Sequence, residues 1–130
     1  MSQSSLHLKL EPGRFAVHRF APQAEIPSQV FSADFLAIVR TAEELSIVVP
    51  QEMVLSGQRV EREWRLFKVI GPLDFSLTGI LAGLAVPLAE AQIPIFAIST
   101  YDTDYLLVKQ AQTKAAVRVL QARGYIVHND

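Results

Sequence analysis

The chain has 130 residues, of which 50% are hydrophobic and 19% are charged, and its formal net charge is −1 at pH 7. This composition excludes an intrinsically disordered chain, and the near-neutral charge argues against a protein that binds nucleic acid mainly through phosphates. The absence of cysteine excludes disulfides, thiolate catalysis and cysteine-ligated metal centres. The length fits one large domain or two small ones.

Neither a signal peptide nor a membrane span is predicted. The N-terminal residues do not show a basic start followed by an apolar core. The longest mostly apolar stretch, Leu77–Ile98, contains Glu90 and Gln92 together with two glycines and two prolines. We interpret this stretch as a buried helix followed by a buried strand, and we expect a soluble, cytoplasmic protein with no membrane contact.

The first half of the chain, residues 1–60, predicts a sheet-rich domain of order β-β-α-β-β. His7–Leu10 and Arg14–Phe20 flank Glu11-Pro12-Gly13, which indicates a hairpin turn. The other predicted elements are a short helix and a second hairpin: Glu25–Phe31, then Phe35–Thr41 and Leu45–Val49 around Ala42-Glu43-Glu44. The polar segment Pro50–Glu63 has little periodicity, and it places a domain boundary near residue 60.

The second half, residues 61–130, shows clearer periodicity and predicts the order β-α-β-β-α-β, a ferredoxin-like unit of the α+β class. Candidate N-caps for its first helix are Asp74, Ser76 and Thr78. Gly124 is predicted to end the second helix in a left-handed conformation. The elements in chain order are a strand at Trp64–Ile70, a helix through Leu77–Leu88, strands at Ile93–Ser99 and Tyr105–Val108, a helix through Thr113–Leu120 and a strand at Tyr125–Val127.

The three histidines give a weak indication of a metal site. If Pro12-Gly13 forms a two-residue turn, His7 lies opposite His18 across the hairpin. A useful site needs a third protein ligand and supporting hydrogen bonds, so we interpret both as partly exposed strand histidines. His128 is interpreted as a surface residue, and neither a metal nor a cofactor is predicted.

Catalytic motifs are absent from the sequence. It contains no G-x-S-x-G nucleophile elbow, no Walker loop and no G-x-G-x-x-G pattern. We therefore expect a protein that is not an enzyme. A small enzyme remains an alternative, because ferredoxin-like folds carry many functions.

Two segments have chemistry that suits a zwitterionic ligand. The strand ending at Gly71 leads within a few residues into a helix, whose unpaired N–H groups and positive dipole end favour a carboxylate. Asp74 in this segment, and Asp102 with Asp104 at the hairpin tip, would favour an ammonium group. The alternatives are an ordinarily capped helix and a turn with aspartate caps, neither of which needs a ligand.

These segments resemble a known family. Leu66–Phe75 and Thr78–Leu81 resemble the first strand, ligand loop and first helix of an ACT domain, and Leu84–Val108, with its I-S-T-Y-D-T-D-Y stretch, is similar to small paired-ACT proteins. Those proteins are similar to the animal cytosolic arginine sensors of the CASTOR type and to the regulatory ACT pairs of aspartate kinases. The resemblance covers residues 60–130 well. It implies an ACT domain at 61–130 and, loosely, a degenerate ACT-like domain at 1–60.

The resemblance also implies a function: an amino-acid-binding regulatory module, in which a small ligand lies at the interface between two ACT units. The ligand carboxylate would meet N–H groups at Leu73–Ser76, and its ammonium would meet an aspartate. The implied ligand-binding residues are Gly71, Pro72, Leu73, Asp74, Phe75, Ile98, Ser99, Thr100, Tyr101, Asp102 and Asp104. No catalytic domain is attached here, so a regulated partner would be a separate protein.

Two further alternatives remain at this point. A ligand-free structural or interaction domain would dimerise through its sheets, and a homodimer is expected under the leading hypothesis as well. An RNA-binding module shares the topology, but it needs basic charge and exposed aromatic residues on its central strands. Because the chain is slightly acidic and Ile93–Ser99 holds only Phe96 as an aromatic residue, nucleic acid is not an expected partner.

Overall fold

The computed structural model describes residues 6–71, 73 and 78–129. The described residues form eight strands, two α-helices and two short 3-10 turns. The strands are β1 (His7–Leu10), β2 (Phe15–Phe20), β3 (Ala37–Arg40), β4 (Leu45–Pro50), β5 (Arg59–Val69), β6 (Phe96–Ser99), β7 (Asp104–Lys109) and β8 (Ile126–His128). The helices are α1 (Ile80–Glu90) and α2 (Thr113–Ala122), and the 3-10 turns are Ser28–Ser32 and Gln110–Gln112. Neither α-helix is long and apolar enough to cross a membrane.

The chain forms two compact units. The larger unit comprises the described residues of Met1–Pro12 and Arg65–Asp130, and the smaller unit is Gly13–Trp64. Strand β1 therefore packs within the larger unit, although it lies early in the chain. The assignment of residues 1–60 and 61–130 to two domains of ACT type stays a prediction.

The larger unit has a mixed sheet of order β6-β7-β5-β1-β8. β1 is antiparallel to β5, with Leu8 opposite Val69, and parallel to β8, with Leu8 opposite Val127. The elements β5-α1-β6-β7-α2-β8 confirm the predicted α+β class and the predicted β-α-β-β-α-β order. β1 is an additional strand that separates the first strand of this pattern from the last.

The core of the larger unit lies between one face of this sheet and the two helices. Leu84 and Leu88 from α1 and Leu120 from α2 are fully buried against Leu8 of β1 and Phe67 of β5. Leu8 and Leu10 point to this core because alternate residues of a strand project to the same face. Burial of these leucines explains why β1 belongs to this sheet.

The end of α2 confirms the predicted glycine cap. Gly124 has φ of 93°, a left-handed conformation that glycine adopts without steric cost. Tyr125 N–H donates to the Leu120 carbonyl at 3.1 Å, and Gly124 N–H donates to the Gln121 carbonyl at 2.9 Å. These bonds satisfy the last carbonyls of the helix and turn the chain into β8.

The predicted hairpin between the first two strands is wrong. β1 pairs with β5 and β8, whereas β2 pairs with β4 and β5. Leu10 lies opposite Phe67 and Phe15 lies opposite Trp64, so the chain runs on along β5 and does not reverse at Pro12-Gly13. An L-Pro-Gly pair does not supply the primed turn that a two-residue hairpin needs, and β5 is long enough to pair with both strands.

The smaller unit has an antiparallel sheet of order β3-β4-β2-β5. The predicted hairpin around Ala42-Glu43-Glu44 is confirmed, with Arg40 opposite Leu45 and Ile38 opposite Ile47. The predicted helix at Glu25–Phe31 is a 3-10 turn at Ser28–Ser32. Buried residues of the turn, the sheet and the following loop form the core of this unit: Phe20, Val30, Leu45, Ile47, Val49 and Leu55.

The polar segment before β5 is more ordered than the sequence predicts. β5 begins at Arg59, within the segment interpreted as an irregular joint. Its register against β2 shifts between Phe15 and Val17, and Glu63 adopts a positive φ of 68°. The Gln51 side chain accepts from Glu63 N–H at 2.6 Å and donates to its carboxylate at 2.7 Å. These two bonds offset the backbone strain of a non-glycine residue in this conformation.

His18 is buried, contrary to the prediction of a partly exposed strand histidine. It is 1% exposed in β2, between Ile47 of β4 and Val60 of β5, and neither ring nitrogen has a partner among the described residues. Burial lowers the pKa of His18 below its ordinary value of 6.5, and the positive charge of Arg62 lowers it further. Folding therefore favours the neutral form of this imidazole.

Replacing Leu8 with alanine tests whether β1 completes the core of the larger unit. We expect a loss of about 2–5 kcal/mol in the free energy of unfolding, because the side chain is fully buried and leaves a cavity. Urea denaturation followed by circular dichroism measures the change. Val54→Ala, at a residue that is 74% exposed, is the control and should cost less than about 0.5 kcal/mol. Equal effects of the two substitutions would contradict the packing of β1.

Replacing His18 with leucine should make the protein less sensitive to acid. Because the folded pKa is below 6.5, the unfolded chain binds more protons as pH falls through 6.5, and stability decreases in that direction. His18→Leu removes this dependence and removes unsatisfied buried polar atoms, which cost about 1–3 kcal/mol. Melting temperatures between pH 7.5 and 5.5 should fall less for the variant than for the parent. Parallel pH profiles would show that His18 is not buried as a neutral group.

Candidate functional site

The β6–β7 hairpin ends in a tightly bonded polar tip. Ser99 lies opposite Asp104 at the last pair of the ladder, and Thr100 N–H donates to the Thr103 carbonyl at 2.8 Å. Thr103 is only 5% exposed, and its hydroxyl donates to the Val69 carbonyl at the end of β5, at 2.6 Å. This bond holds the tip against the end of the neighbouring strand.

The chain that leaves β5 is bonded to the same tip. Leu73 N–H donates to the Asp102 carbonyl at 2.7 Å. A Cβ atom added to Gly71 would lie 2.9 Å from the Leu73 nitrogen and 3.3 Å from the Asp102 carbonyl oxygen. Only glycine leaves room for this close approach, so the Gly71 that the sequence analysis selected has a steric reason to be there.

Helix α1 begins beside the tip without a side-chain cap. Gly79 is the N-cap, with φ of 78°, and it has no side chain with which to accept a hydrogen bond. The first bond of the helix runs from Gly83 N–H to the Gly79 carbonyl, at 2.9 Å, so Ile80 and Leu81 N–H have no acceptor within the helix. The first turn contains no acidic residue, and the positive end of the helix dipole is therefore not neutralised by the helix itself.

A cavity of about 230 Å³ lies between the start of α1 and the hairpin tip. This volume is smaller than that of sites for drug-sized ligands and is in the range of a small metabolite. The cavity is formed entirely by the larger unit. Its lining residues are Leu73, Gly79, Ile80, Leu81, Ser99, Thr100, Tyr101, Asp102, Thr103 and Asp104.

The cavity has opposite charge at its two sides. The N–H groups of α1 provide a positive partial charge, and the carboxylates of Asp102 and Asp104 provide negative charge. Asp104 is held in place because its Oδ1 accepts from Ser99 Oγ at 2.5 Å, whereas Asp102 is exposed. This arrangement complements a molecule that carries both a carboxylate and a cationic group.

The cavity brings together many of the residues selected from the sequence. Those that line it are Leu73, Ser99, Thr100, Tyr101, Asp102 and Asp104. Gly71 is adjacent and shapes the loop, and Ile98 lies half-buried in β6 opposite Tyr105, outside the lining. The remaining three, Pro72, Asp74 and Phe75, lie outside the described residues. Binding by any of these residues stays a prediction.

Four lining residues were missed by the sequence analysis: Gly79, Ile80, Leu81 and Thr103. The first three were missed because the helix was expected to start near Asp74, Ser76 or Thr78, whereas α1 begins at Ile80. The glycine at position 79 was the available signal, since glycine is accepted at the N-cap. Nothing in the sequence around Thr103 predicted that this residue, within a polar hairpin tip, would be buried.

Two parts of the chain match protein families. Residues 59–122 match the ACT domain family, and residues 13–56 match a second family that is described only as an N-terminal domain. The human protein "Cytosolic arginine sensor for mTORC1 subunit 1" is 36% identical over 90 residues, which are 68% of this chain and 27% of the relative. This chain thus corresponds to about a quarter of the length of that relative.

Solved structures show the same fold. An X-ray structure of an Agrobacterium tumefaciens protein is 32% identical, with a TM-score of 0.89, and covers 97% of this chain and 94% of its own. The ligand-free regulatory subunit of aspartate kinase from Thermus thermophilus has a TM-score of 0.63 at 14% identity, covering 89% of this chain and 96% of its own. At that identity the second likeness concerns the fold alone.

Removing the Thr103 hydroxyl tests the bond that closes the site. We expect Thr103→Val to cost about 1–3 kcal/mol, because the Val69 carbonyl loses its buried donor while the side-chain volume is kept. Urea denaturation measures the loss. Thr78→Val, at an exposed threonine, is the matched control and should change stability by less than about 0.5 kcal/mol. A loss no larger than that of the control would mean that the hydroxyl does not secure the tip.

Proposed function

Residues 59–122 of this chain belong to the ACT domain family, and on that premise we propose that the protein is an amino-acid-binding regulatory module with no catalytic activity of its own. The observation that carries the proposal is a cavity lined both by the start of a helix without a side-chain cap and by two aspartates. An α-amino acid has the matching pair of charges. The relationship to an arginine sensor supports the same class of ligand.

The ligand carboxylate binds at the start of α1. Ile80 and Leu81 line the cavity, and their N–H groups have no acceptor within the helix. A carboxylate there gains charge-assisted hydrogen bonds and a favourable interaction with the helix dipole. These donors replace the expected ones at Leu73–Ser76, because the helix begins later than the sequence suggests.

The cationic group of the ligand binds at the hairpin tip. Asp104 is the better placed partner, because Ser99 fixes one carboxylate oxygen and thereby orients the other. Asp102 lines the same cavity and adds a second negative charge. Leu73 and the aliphatic atoms of Ile80 and Leu81 supply apolar contact between the two charged ends.

L-Arginine is the first ligand to test. The human relative is named as an arginine sensor, and a guanidinium pairs with a carboxylate through two parallel hydrogen bonds. The other amino acids remain necessary comparisons, because this chain spans only 27% of that relative.

Ligand binding acts on the assembly of ACT units. The ligand, bound in the cavity of the larger unit, lies at an interface with an ACT unit of a second chain in a homodimer, and it changes how those units associate. The regulated partner is a separate cytoplasmic protein. The family membership and the named function of the relative support this scheme.

A thermal-shift screen of the purified chain against the 20 common amino acids tests the proposal. A ligand at 100 times its dissociation constant should add about 2.7 kcal/mol to the free energy of unfolding and raise the melting temperature. If L-arginine is active, agmatine, which lacks the carboxylate, should give no shift. No shift with any amino acid would overturn ligand binding and favour a ligand-free interaction domain.

Asp104→Asn tests the cationic side of the site with the active amino acid. Asparagine keeps an acceptor for Ser99 Oγ but loses the charge, so we expect affinity to fall about tenfold or more without unfolding. Isothermal titration calorimetry measures the affinity. Asp34→Asn, at an exposed aspartate of the smaller unit, should bind like the parent. Unchanged affinity in Asp104→Asn would remove Asp104 from the site.

A further inference from the structure

A row of basic side chains crosses three adjacent strands of the larger sheet. Lys68 of β5 lies opposite Lys9 of β1, and Lys9 lies opposite His128 of β8. Directly opposite residues project to the same face of a sheet, and in an antiparallel pair their Cβ atoms are about 4.5–5.5 Å apart. Leu8, the neighbour of Lys9, fills the core under the helices, so the three basic residues lie on the opposite face.

This row is unfavourable for the folded chain by itself. Like charges directly opposite one another on two strands are destabilising. The Lys9 ammonium group lies 3.9 Å from the Glu11 carboxylate, but 42% of the Lys9 side chain is exposed, so this ion pair is solvated and weak. Lys68 forms no hydrogen bond or ion pair with any residue that the structure describes. The fold therefore gives no electrostatic reason for a lysine at position 68.

Protection of a sheet edge does not explain the two lysines either. Lysine on an edge strand prevents that strand from pairing with another chain. β5 and β1 are interior strands of this sheet, because β5 pairs with β7 and β1, and β1 pairs with β5 and β8. Lys68 and Lys9 thus lie within the sheet face and not along its border.

A second row on the same face is apolar at both ends. Ile70 directly follows β5, and its N–H donates to the His7 carbonyl at 2.9 Å, while Ile126 of β8 lies opposite His7. Ile70 is 44% exposed and Ile126 is 45% exposed. Between them, His7 is joined to His128 by an N–H···N hydrogen bond, with Nδ1 of His7 2.8 Å from Nε2 of His128. This bond holds both rings in place, so the surface is preformed.

We propose that this face docks an acidic amphipathic segment of a partner protein. Carboxylates of the segment meet the lysines, and its apolar side chains meet the two isoleucines. Complementary charge of this kind gives specificity and speeds association more than it adds affinity. The surface is much smaller than a standard interface, so the contact is transient. The docking residues are His7, Lys9, Lys68, Ile70, Ile126 and His128.

The composition of the face favours a protein segment over a membrane or a nucleic acid. Polybasic sites for anionic lipids contain about four to eight lysine or arginine residues, whereas this face holds Lys9 and Lys68 alone. Affinity for nucleic acid depends on neutralising many phosphates, which two lysines do not achieve. A segment that carries a few carboxylates beside apolar groups matches both rows.

Docking rests on the proposed function in one respect, which is that the partner is the protein that this module regulates. None of the six docking residues lines the cavity at the hairpin tip. Docking and amino-acid binding are therefore separate properties, and an experiment can find either one without the other.

A nuclear magnetic resonance titration with a synthetic peptide tests the face. The probe is a helical peptide with glutamates along one side and leucines along the adjacent side, and the control peptide has lysines in place of the glutamates. Amide resonances of β1, β5 and β8 should shift with the glutamate peptide and not with the lysine peptide. Lys68→Glu should weaken binding about tenfold or more, because it places like charges together. Lys114→Glu makes the same charge change at an exposed position of α2 and should leave the affinity unchanged.

The melting temperature of Lys68→Glu gives a second readout, which a purely structural lysine would not give. The substitution converts the like-charge pair with Lys9 into an opposite-charge pair, so the melting temperature should rise while docking is lost. The amino-acid response in the thermal-shift screen should equal that of the parent, since the cavity is not altered.

The proposal is overturned by any of four results. The glutamate peptide could shift no resonances, or only resonances outside β1, β5 and β8. Lys68→Glu and Lys114→Glu could weaken binding equally, which would show a response to net charge alone. Lys68→Glu could lower the melting temperature, which would give Lys68 a structural role. Vesicles containing phosphatidylserine could bind in a Lys68-dependent manner while the peptide does not, which would assign the face to a membrane.

Discussion

The burial of β1 between β5 and β8 is the constraint on which the larger unit depends. Leu8 and Leu10 supply part of the core that α1 and α2 cover, and the backbone of β1 pairs with a strand on each side. Without this strand, Phe67 and Leu120 would lose buried neighbours, and β5 and β8 would lose their hydrogen-bond partner. The ACT unit of this chain is therefore completed by residues from outside the range that matches the family.

The candidate site depends on a second, local constraint. The hairpin tip, the end of β5 and the segment leading to α1 are joined by the Thr103–Val69 and Leu73–Asp102 hydrogen bonds. Gly71 permits the close approach of the two segments. Gly79 is the N-cap of α1, and because it has no side chain, it leaves the first N–H groups of the helix without a side-chain acceptor. The result is a cavity whose positive side is backbone and whose negative side is carboxylate, so the proposed selectivity for zwitterions arises from two different kinds of group.

Much of the larger unit was predictable because its elements are strongly periodic. The spacing of apolar residues predicted α1 and the strands β6 and β7. Asp102 and Asp104 were predicted to lie at the tip between the two strands. The start of α1 was not predictable, because several polar residues before it are equally good caps. The role of Thr103 was not predictable either, since its hydroxyl is buried by a contact with Val69, 34 residues away.

The sequence by itself determined the α+β class, the β-α-β-β-α-β order and the acidic hairpin tip, because each follows from local periodicity and turn chemistry. Only the tertiary structure decided where β1 pairs, that His18 is buried and that His7 meets His128. These three outcomes depend on pairing between distant strands. The alternation of apolar residues in a strand specifies which side faces a core, but it does not specify which neighbouring strand completes that core.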